Sequence, residues 1–399
     1  MTPAISSPRE HILTVNGGSS SIKFALYDRA SLQRGLHGKM DRIGVPGTKL
    51  TVVSEHATQT VNCDARVCDY ATAAHFMIDW LQYQPDFESL AAVGHRVVHG
   101  MRHSAPELVK QELLDELHRI QPYDPEHLPG EIMLIELLQQ RYPRIPQVAC
   151  FDTAFHSKLP RVARLLPIPR RLEEKGVQRY GFHGLSYAYL MTELERLGDP
   201  AARSGRIVLA HLGNGASMAA VRDGQSVDTS MAFTPTSGLP MSTRSGDLDP
   251  GLVGFLANTE DMTARQFAQM VSLDSGLLGI SGSSSDIQDL LERERTDAHA
   301  ADAVKVFCYQ AKKWIGAFAA VLGGIDTLVF AGGIGENSPV IRARICAGLR
   351  FLGIELDGPR NASNAAVISQ DGRGVTVRVI RTDEEIMLAR AVVDVLRHG

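Results

Sequence analysis

The pattern that most constrains this chain is a strand–turn–strand unit, rich in glycine and hydroxyl donors, that occurs twice. Residues 12–15 form an apolar run, followed by Asn16, two Gly and three Ser, and then by the alternating run IKFALYD from residue 22. Strand-like runs on both sides of a Gly/Ser turn predict a β-hairpin. The stretch IVLAHLGNGASMAAV, residues 207–221, repeats the plan around Gly213, Asn214 and Gly215, and Asn214 follows Asn16 by 198 positions, about half of the 399 residues. Spacing on that scale predicts a duplicated fold with one such hairpin in each half. A third glycine element, LVFAGGIGENSP at residues 328–339, reads as a strand entering a tight turn. Asn337 or Ser338 then caps the following helix, with Pro339 in its first turn. Amphipathic runs such as ELVKQELLDELHRI (107–120) and GEIMLIELLQQRY (130–142) alternate with the strands, as in an α/β protein. Surface loops are expected near residues 200 and 283.

The length and the 44% hydrophobic content suit two domains with a sizeable core. The 41 basic and 45 acidic residues leave a formal charge of −4, with no basic block suited to a nucleic acid backbone. The longest apolar run, residues 314–325, is well short of the roughly 18 residues of a bilayer span. No signal-like apolar run stands in MTPAISSPRE, so a cytoplasmic protein without membrane partners is expected. Five scattered cysteines, of which Cys63 and Cys68 are nearest one another, read as reduced thiols.

Glycine turns between strands expose backbone N–H groups that converge on phosphate oxygens. In the first hairpin the Ser hydroxyls add donors and Lys23, which reads as a buried cation, adds a point charge. The spacing is not that of a Walker A loop. The plainer reading, a tight turn with Asn16 as a turn residue and Lys23 in solvent, stands beside it. VGHRVVHG sets Arg96 on a strand among apolar neighbours, and TSGLPMSTRSGDLDP sets Arg244 in a polar loop. A guanidinium in either place suits a carboxylate or a phosphoryl group through paired hydrogen bonds, or an internal salt bridge. Asp152 in CFDTAFH follows a strand, where α/β active-site residues often sit and where a helix cap is equally suitable. His183 in RYGFHG lies in a turn, as a reactive or a structural imidazole. Together these groups point to phosphoryl transfer and leave the acceptor open.

Read in order, NGGSSSIKF, GHRVVHG, FDTAFH, RYGFHG, HLGNGAS, TRSGDLDP, AGGIGENS and RTDEE make the chain resemble the acetate kinase family, with propionate and butyrate kinases among its relatives, from Asn16 to Glu385. The resemblance implies an α/β, actin-like ATPase and sugar kinase fold (ribonuclease H-like), with two duplicated domains and an interdomain active-site cleft. Residues 1–154 with 386–399 would form the N-terminal domain and residues 155–385 the nucleotide-binding domain. The C-terminal helix would return to the former, and the protein would be a homodimer. By matching position, the resemblance implies Mg2+, or Mn2+ in its place, at Asn16 and Glu384. ATP or ADP phosphates would meet Ser19, Ser21 and Lys23. The nucleotide would be held by His211, Leu212, Gly213, Asn214 and Gly215, by Gly333, Ile334, Gly335, Glu336 and Asn337, and by Asp286, Ile287 and Gln288. Arg96 and Arg244 would hold the carboxylate and the transferring phosphoryl group, Asp152 would be the catalytic acid or an orienting group, and His183 a transition-state stabiliser. Phe182 and Pro235 would wall the acyl pocket. The implied reaction is reversible phosphorylation of acetate to acetyl phosphate. Propionate, another short-chain acid or another phosphoryl donor is the alternative, and a sugar kinase or an actin-like assembly ATPase is the more distant one.

Three stretches depart from the family pattern. The usual L-H-N-P reads Pro122-Tyr123-Asp124-Pro125, which replaces a chargeable imidazole by a phenol. The usual S-S-D-F-R reads Ser284-Ser285-Asp286-Ile287-Gln288, losing an aromatic face and a guanidinium, and Ser285 and Gln288 have the spacing of a capping box. After GFHG the usual Thr-Ser-His reads Leu185-Ser186-Tyr187, and TPLEGL becomes TPTSGL.

Overall fold

The computed structural model describes residues 10–18, 20–45, 47–54, 57–63, 69–372 and 374–398. Ser19, Cys68 and the first nine residues, on which expectations above rest, lie outside the described residues. The chain divides into two compact units, Met1–Ala154 with Asp383–Gly399, and Phe155–Thr382.

The first unit carries strands β1 (His11–Gly17), β2 (Ile22–Asp28), β3 (Arg34–Asp41), β4 (Lys49–Val53), β5 (Thr58–Asn62), β6 (Leu90–Val97), β7 (Glu107–Leu108) and β8 (Gln147–Phe151). They form one sheet in the order β5-β4-β3-β2-β1-β6-β8-β7. The predicted hairpin is β1–β2, antiparallel with Gly17 opposite Ile22, so its turn is shorter than the glycine-serine run suggests. Asn16 and Lys23 are register partners on the strands. Lys23 is exposed, contrary to its expected burial, because its alternating neighbours Ile22 and Phe24 take the core face. On that face Leu13, Val15, Phe24, Met40 and Leu50 pack against two helices, Tyr70–Leu81 and Leu128–Arg141. The helix Glu384–His398 lies against β6, where a Cβ on Gly94 would stand 2.8 Å from Val392, so only glycine permits the approach. The last helix thus packs on the sheet of the first unit.

The second unit has strands β9 (Arg206–Leu212), β10 (Ala216–Arg222), β11 (Gln225–Thr229), β12 (Thr327–Ala331) and β13 (Thr376–Val379), in the order β11-β10-β9-β12-β13. β9 and β10 are antiparallel, as are β10 and β11, while β9, β12 and β13 run parallel. In the first unit β3-β2-β1-β6-β8 has the same order and the same directions. The duplication inferred from the hairpins is therefore a duplication of topology. In the second unit Leu190 and Leu194 of the helix Gly184–Arg196 pack with Ile207, Leu209 and Val221 of the sheet. Residues 314–322 end the 25-residue helix Ala298–Leu322, with Gly323 in the left-handed conformation as its stop, and no described helix is long and apolar enough to cross a membrane.

Several local expectations are corrected. Only Gln111–Ile120 of the run at 107–120 is helical, because Glu107–Leu108 pairs with β8 as an edge strand. Near residue 200 the expected loop contains a short helix, Ala201–Ser204, whose first two alanines are buried. The tight turn expected after residue 331 is instead a helical turn, Gly332–Asn337, and Ser338 precedes Pro339 without a side-chain cap bond. Cys150, Cys308 and Cys346 are buried thiols and Cys63 is partly buried.

Two buried histidines give the fold an acid dependence. His95 binds Gln147 at 2.6 Å, and His156 binds Ser226 at 2.8 Å. Burial pushes both imidazoles down to about 4 from the ordinary 6.5. The unfolded chain therefore takes up two protons that the native state refuses, so stability is retained above pH 6.5 and falls as pH drops toward 4. Each imidazole should account for about 3 kcal/mol across that window. Urea unfolding at a series of pH values should show this slope, and His95→Gln should remove its share; an unchanged slope in the variant would contradict the assignment.

Candidate active site

In the first unit the sheet delivers its polar groups to adjacent strand ends. β6 lies between β1 and β8, so Arg96 near the end of β6 stands between Asn16 near the end of β1 and Asp152 just after β8. Arg96 donates from Nε and Nη2 to Asp152, with Nη2 2.6 Å from Oδ2, and from Nη1 to Oδ1 of Asn16 at 3.2 Å. Asn16 in turn donates from Nδ2 to Oε2 of Glu384 at 3.0 Å. Four predicted residues thus form one chain of hydrogen bonds. Asn16 is a buried strand residue, and Asp152 orients the arginine where a helix cap was equally suitable.

Glu384 reaches this chain because Asp383 anchors the start of the C-terminal helix. Asp383 accepts from the Ile386 backbone at 3.0 Å and from Arg34 at 3.3 Å, and Tyr27 donates to it at 3.5 Å. Desolvation works against the Arg96 cation, but Asp152 and Glu384 outweigh it and raise its pKa, so it remains charged. Burial raises the Asp152 carboxyl, opposed by Arg96. Arg96, Asp152 and Glu384 together carry one negative charge in excess. That surplus and the hard oxygens of Asn16 and Glu384 suit Mg2+, which takes one or two protein oxygens and completes its shell from phosphate and water.

Glu131 is a residue the sequence reading missed. Its Oε2 accepts the Val98 N–H at 3.0 Å, while Oε1 has no protein partner and the side chain is fully buried. Burial raises its pKa well above the ordinary carboxyl value, opposed by the nearby Arg96. Its signal was present: Leu128, Glu131, Ile132 and Ile135 share one helix stripe, and a Glu in an apolar stripe needs an internal partner.

In the second unit His183 sits at a positive φ of 59°, at the start of the helix Gly184–Arg196. A non-glycine residue held there marks a constrained site. Its Nδ1 lies 2.8 Å from Oγ of Ser217, which is also bonded by the Tyr187 hydroxyl. The departure at Tyr187 therefore has a role, fixing the serine that fixes His183. His211, opposite Ser217 in the β9–β10 register, stacks on His183 with centroids 4.4 Å apart. A Cβ on Gly215 would stand 3.1 Å from His183 Nε2 and 3.8 Å from Arg244 Nη1, so glycine leaves room for the imidazole, with the guanidinium close by. Asn214 accepts the Ser242 N–H at 3.1 Å through its carbonyl, tying that loop to the segment that carries Arg244.

The glycine segments around residues 213 and 333 meet, with the Gly333 nitrogen 3.6 Å from a Cβ position on Gly213. Gly332 has a φ of +75° and lies against the Leu212 carbonyl. Leu212, Ile334 and Gly335 are buried; Gly333 and Asn337 are turned outward, with Asn337 donating to the Gly333 carbonyl. Glu336 accepts from the backbone of Gly332 at 2.9 Å and of Thr382 at 3.2 Å, so its carboxylate closes the turn. Asp286 caps the helix Ile287–Arg293 through the Gln288 and Asp289 amides, which corrects the expected Ser285–Gln288 box. Ile287 is buried and Gln288 exposed. Phe182 and Pro235 are buried, and the segments that carry them are linked by the Tyr180 and Gly181 amides on the Ala232 carbonyl. In the first hairpin the Ser21 carbonyl accepts the Gly18 N–H at 2.8 Å and closes the turn.

Comparison with known proteins shows the family and the fold. The chain is 42% identical to an acetate kinase of Methylocella silvestris over 95% of its own length and 96% of that protein. It is also 42% identical to a propionate kinase of Citrobacter rodentium, covering 96% of each. The solved structure of a propionate kinase from Francisella tularensis superposes with a TM-score of 0.89 at 33% identity, over 96% of this chain and 98% of that one. With the paired sheet topologies, this gives the chain the actin-like, sugar-kinase fold. The model of the acetokinase family matches residues 11–390, and the chain belongs to that family of ATP-dependent carboxylate kinases.

Proposed function

We propose that the protein is an acetate kinase, transferring the γ-phosphoryl group of ATP reversibly to acetate to give acetyl phosphate and ADP. The observation that carries this reading is Arg96, a partly buried cation held by Asp152 on one side and by Asn16, next to Glu384, on the other. Acetate is ionised at neutral pH and needs no general base. One carboxylate oxygen bonds to the γ-phosphorus while the bond from phosphorus to the bridging oxygen breaks, and ADP leaves with that electron pair. The protein's task is to align two anions and offset their charge. Propionate is the second reading, favoured by equal identity to an acetate kinase and a propionate kinase.

In this reading Asn16 and Glu384 hold Mg2+, which offsets phosphate charge when bound. Lys23, Ser19 and Ser21 face the phosphates. Residues 211–215 and 333–337 hold the nucleotide, and Asp286, Ile287 and Gln288 border its ribose and base. Arg96 takes the carboxylate, Arg244 and His183 take the transferring group, and Phe182 and Pro235 limit acyl length. Asp152 acts by orienting Arg96. Residues 1–154 with 386–399 form the N-terminal domain and residues 155–385 the nucleotide-binding domain. A cytoplasmic homodimer completes the reading. Support for the dimer comes from the apolar helix Gly251–Thr259, which buries no residue in the single chain and leaves Phe255 exposed.

Hydroxylamine trapping of acyl phosphate with Mg2+ and ATP tests the reaction. Acetate should give hydroxamate in amounts that grow with enzyme; folded protein that yields none from acetate, propionate or butyrate would overturn the reading. A second test addresses the glycine beside His183. Gly215→Ala should displace the imidazole by a few tenths of an ångström or more and lower kcat by roughly 10- to 100-fold, with thermal stability little changed. A wild-type kcat in that variant would contradict the role given to His183.

A further inference from the structure

The segment 121–128 holds a well-covered aspartate–histidine pair that the roles above leave unused. Tyr123 closes the short turn Gln121–Tyr123, its ring 6.2 Å from that of the buried His99. Asp124 is 3% exposed and its Oδ1 lies 2.9 Å from Nδ1 of His127, whose ring is 8% exposed. The same oxygen accepts the His127 N–H at 3.3 Å. A chargeable pair this well covered is costly unless it serves a purpose beyond folding. The turn does not need it, because Asp124 already bonds to the Gln121 carbonyl and Leu128 to the Asp124 carbonyl through the backbone.

The pair lies at the ends of β6 and β8. Leu128, next to His127, packs in one cluster with Val97 and Phe151, the residues that adjoin Arg96 and Asp152 in the chain. Glu131, one turn further, binds the backbone of Val98. Charge on His127 favours the ionised form of Asp152, the carboxylate that orients Arg96. A carboxylate on one ring nitrogen fixes the imidazole's orientation and turns the other nitrogen, Nε2, away from it.

We propose that His127, its Nδ1 held 2.9 Å from the Asp124 carboxylate, is the imidazole donor that this segment presents to the transferring phosphoryl group. Tyr123 offers a phenol rather than an imidazole, and Asp124 is the positioning residue. The inference rests on the carboxylate kinase reading above. It also resolves the departure at Tyr123: the imidazole stands four residues along the same segment.

The test is the rate of acyl phosphate formation by the full chain with Mg2+, ATP and acetate. His127→Gln should lower kcat by about 100-fold or more while KM for acetate changes little, as expected for a donor acting on charge that develops in the transition state. His127→Gly should regain activity when imidazole is added, and Tyr123→His in the His127→Gln background should restore part of the loss. Asp124→Asn should lower kcat less than His127→Gln. A wild-type kcat in His127→Gln overturns the proposal. So does a loss in the folded His127 variants that neither imidazole nor Tyr123→His relieves, since that is the mark of a structural role. Inactivity of the wild-type chain with every acid would instead remove the kinase reading, and this inference with it.

Discussion

The first unit depends on keeping one guanidinium charged inside a sheet. Arg96 stands on a central strand whose neighbours are buried, and a cation there is tolerable only with a partner delivered from an adjacent strand end. The order β1-β6-β8 supplies it, with Asp152 on one side and Asn16 on the other. Glu384 comes from the far end of the sequence, and reaches Asn16 because Gly94 allows the last helix to settle on β6 and Asp383 fixes where that helix begins. Removing Asp152 would strip Arg96 of its paired carboxylate and leave Glu384 and Asn16 to offset its charge, which destabilises the strand end.

The second unit uses the same topology for a different end. Its first hairpin carries His211, Gly213 and Gly215 where the first unit carries Asn16 and Gly17, and the end of β12 carries a glycine turn where β6 carries Arg96. Anionic side chains and a guanidinium occupy one set of strand ends, while glycines and stacked imidazoles occupy the other. One architecture thus gives a rigid charge relay in one unit and close backbone approach in the other.

Much of this was legible in the chain because it is local. The two hairpins, the strand placement of Arg96, the position of Asp152 after a strand and His183 in a turn all follow from short patterns of apolar and glycine residues. What was not legible depends on the third dimension. Alternation in IKFALYD shows that Lys23 and its neighbours face opposite ways, but not which face is covered. Ser285 and Asp286 both suit a helix cap, and only backbone conformation chose Asp286. Glu384 is 368 positions from Asn16 and was visible through resemblance alone. Glu131 and the Asp124–His127 pair passed unread because a buried acid and an exposed one look alike until their surroundings are known.

The most direct test of the central claim, that Asp152 serves the reaction by holding Arg96, is a double-mutant cycle. Steady-state kcat for acyl phosphate formation would be compared in the wild type, Arg96→Lys, Asp152→Asn and the double variant. The account predicts strong non-additivity: each single change removes most of the rate, and the double change costs little more than Arg96→Lys alone. Independent effects that multiply in the double variant would show that Asp152 acts on the substrates by itself, and would contradict the account.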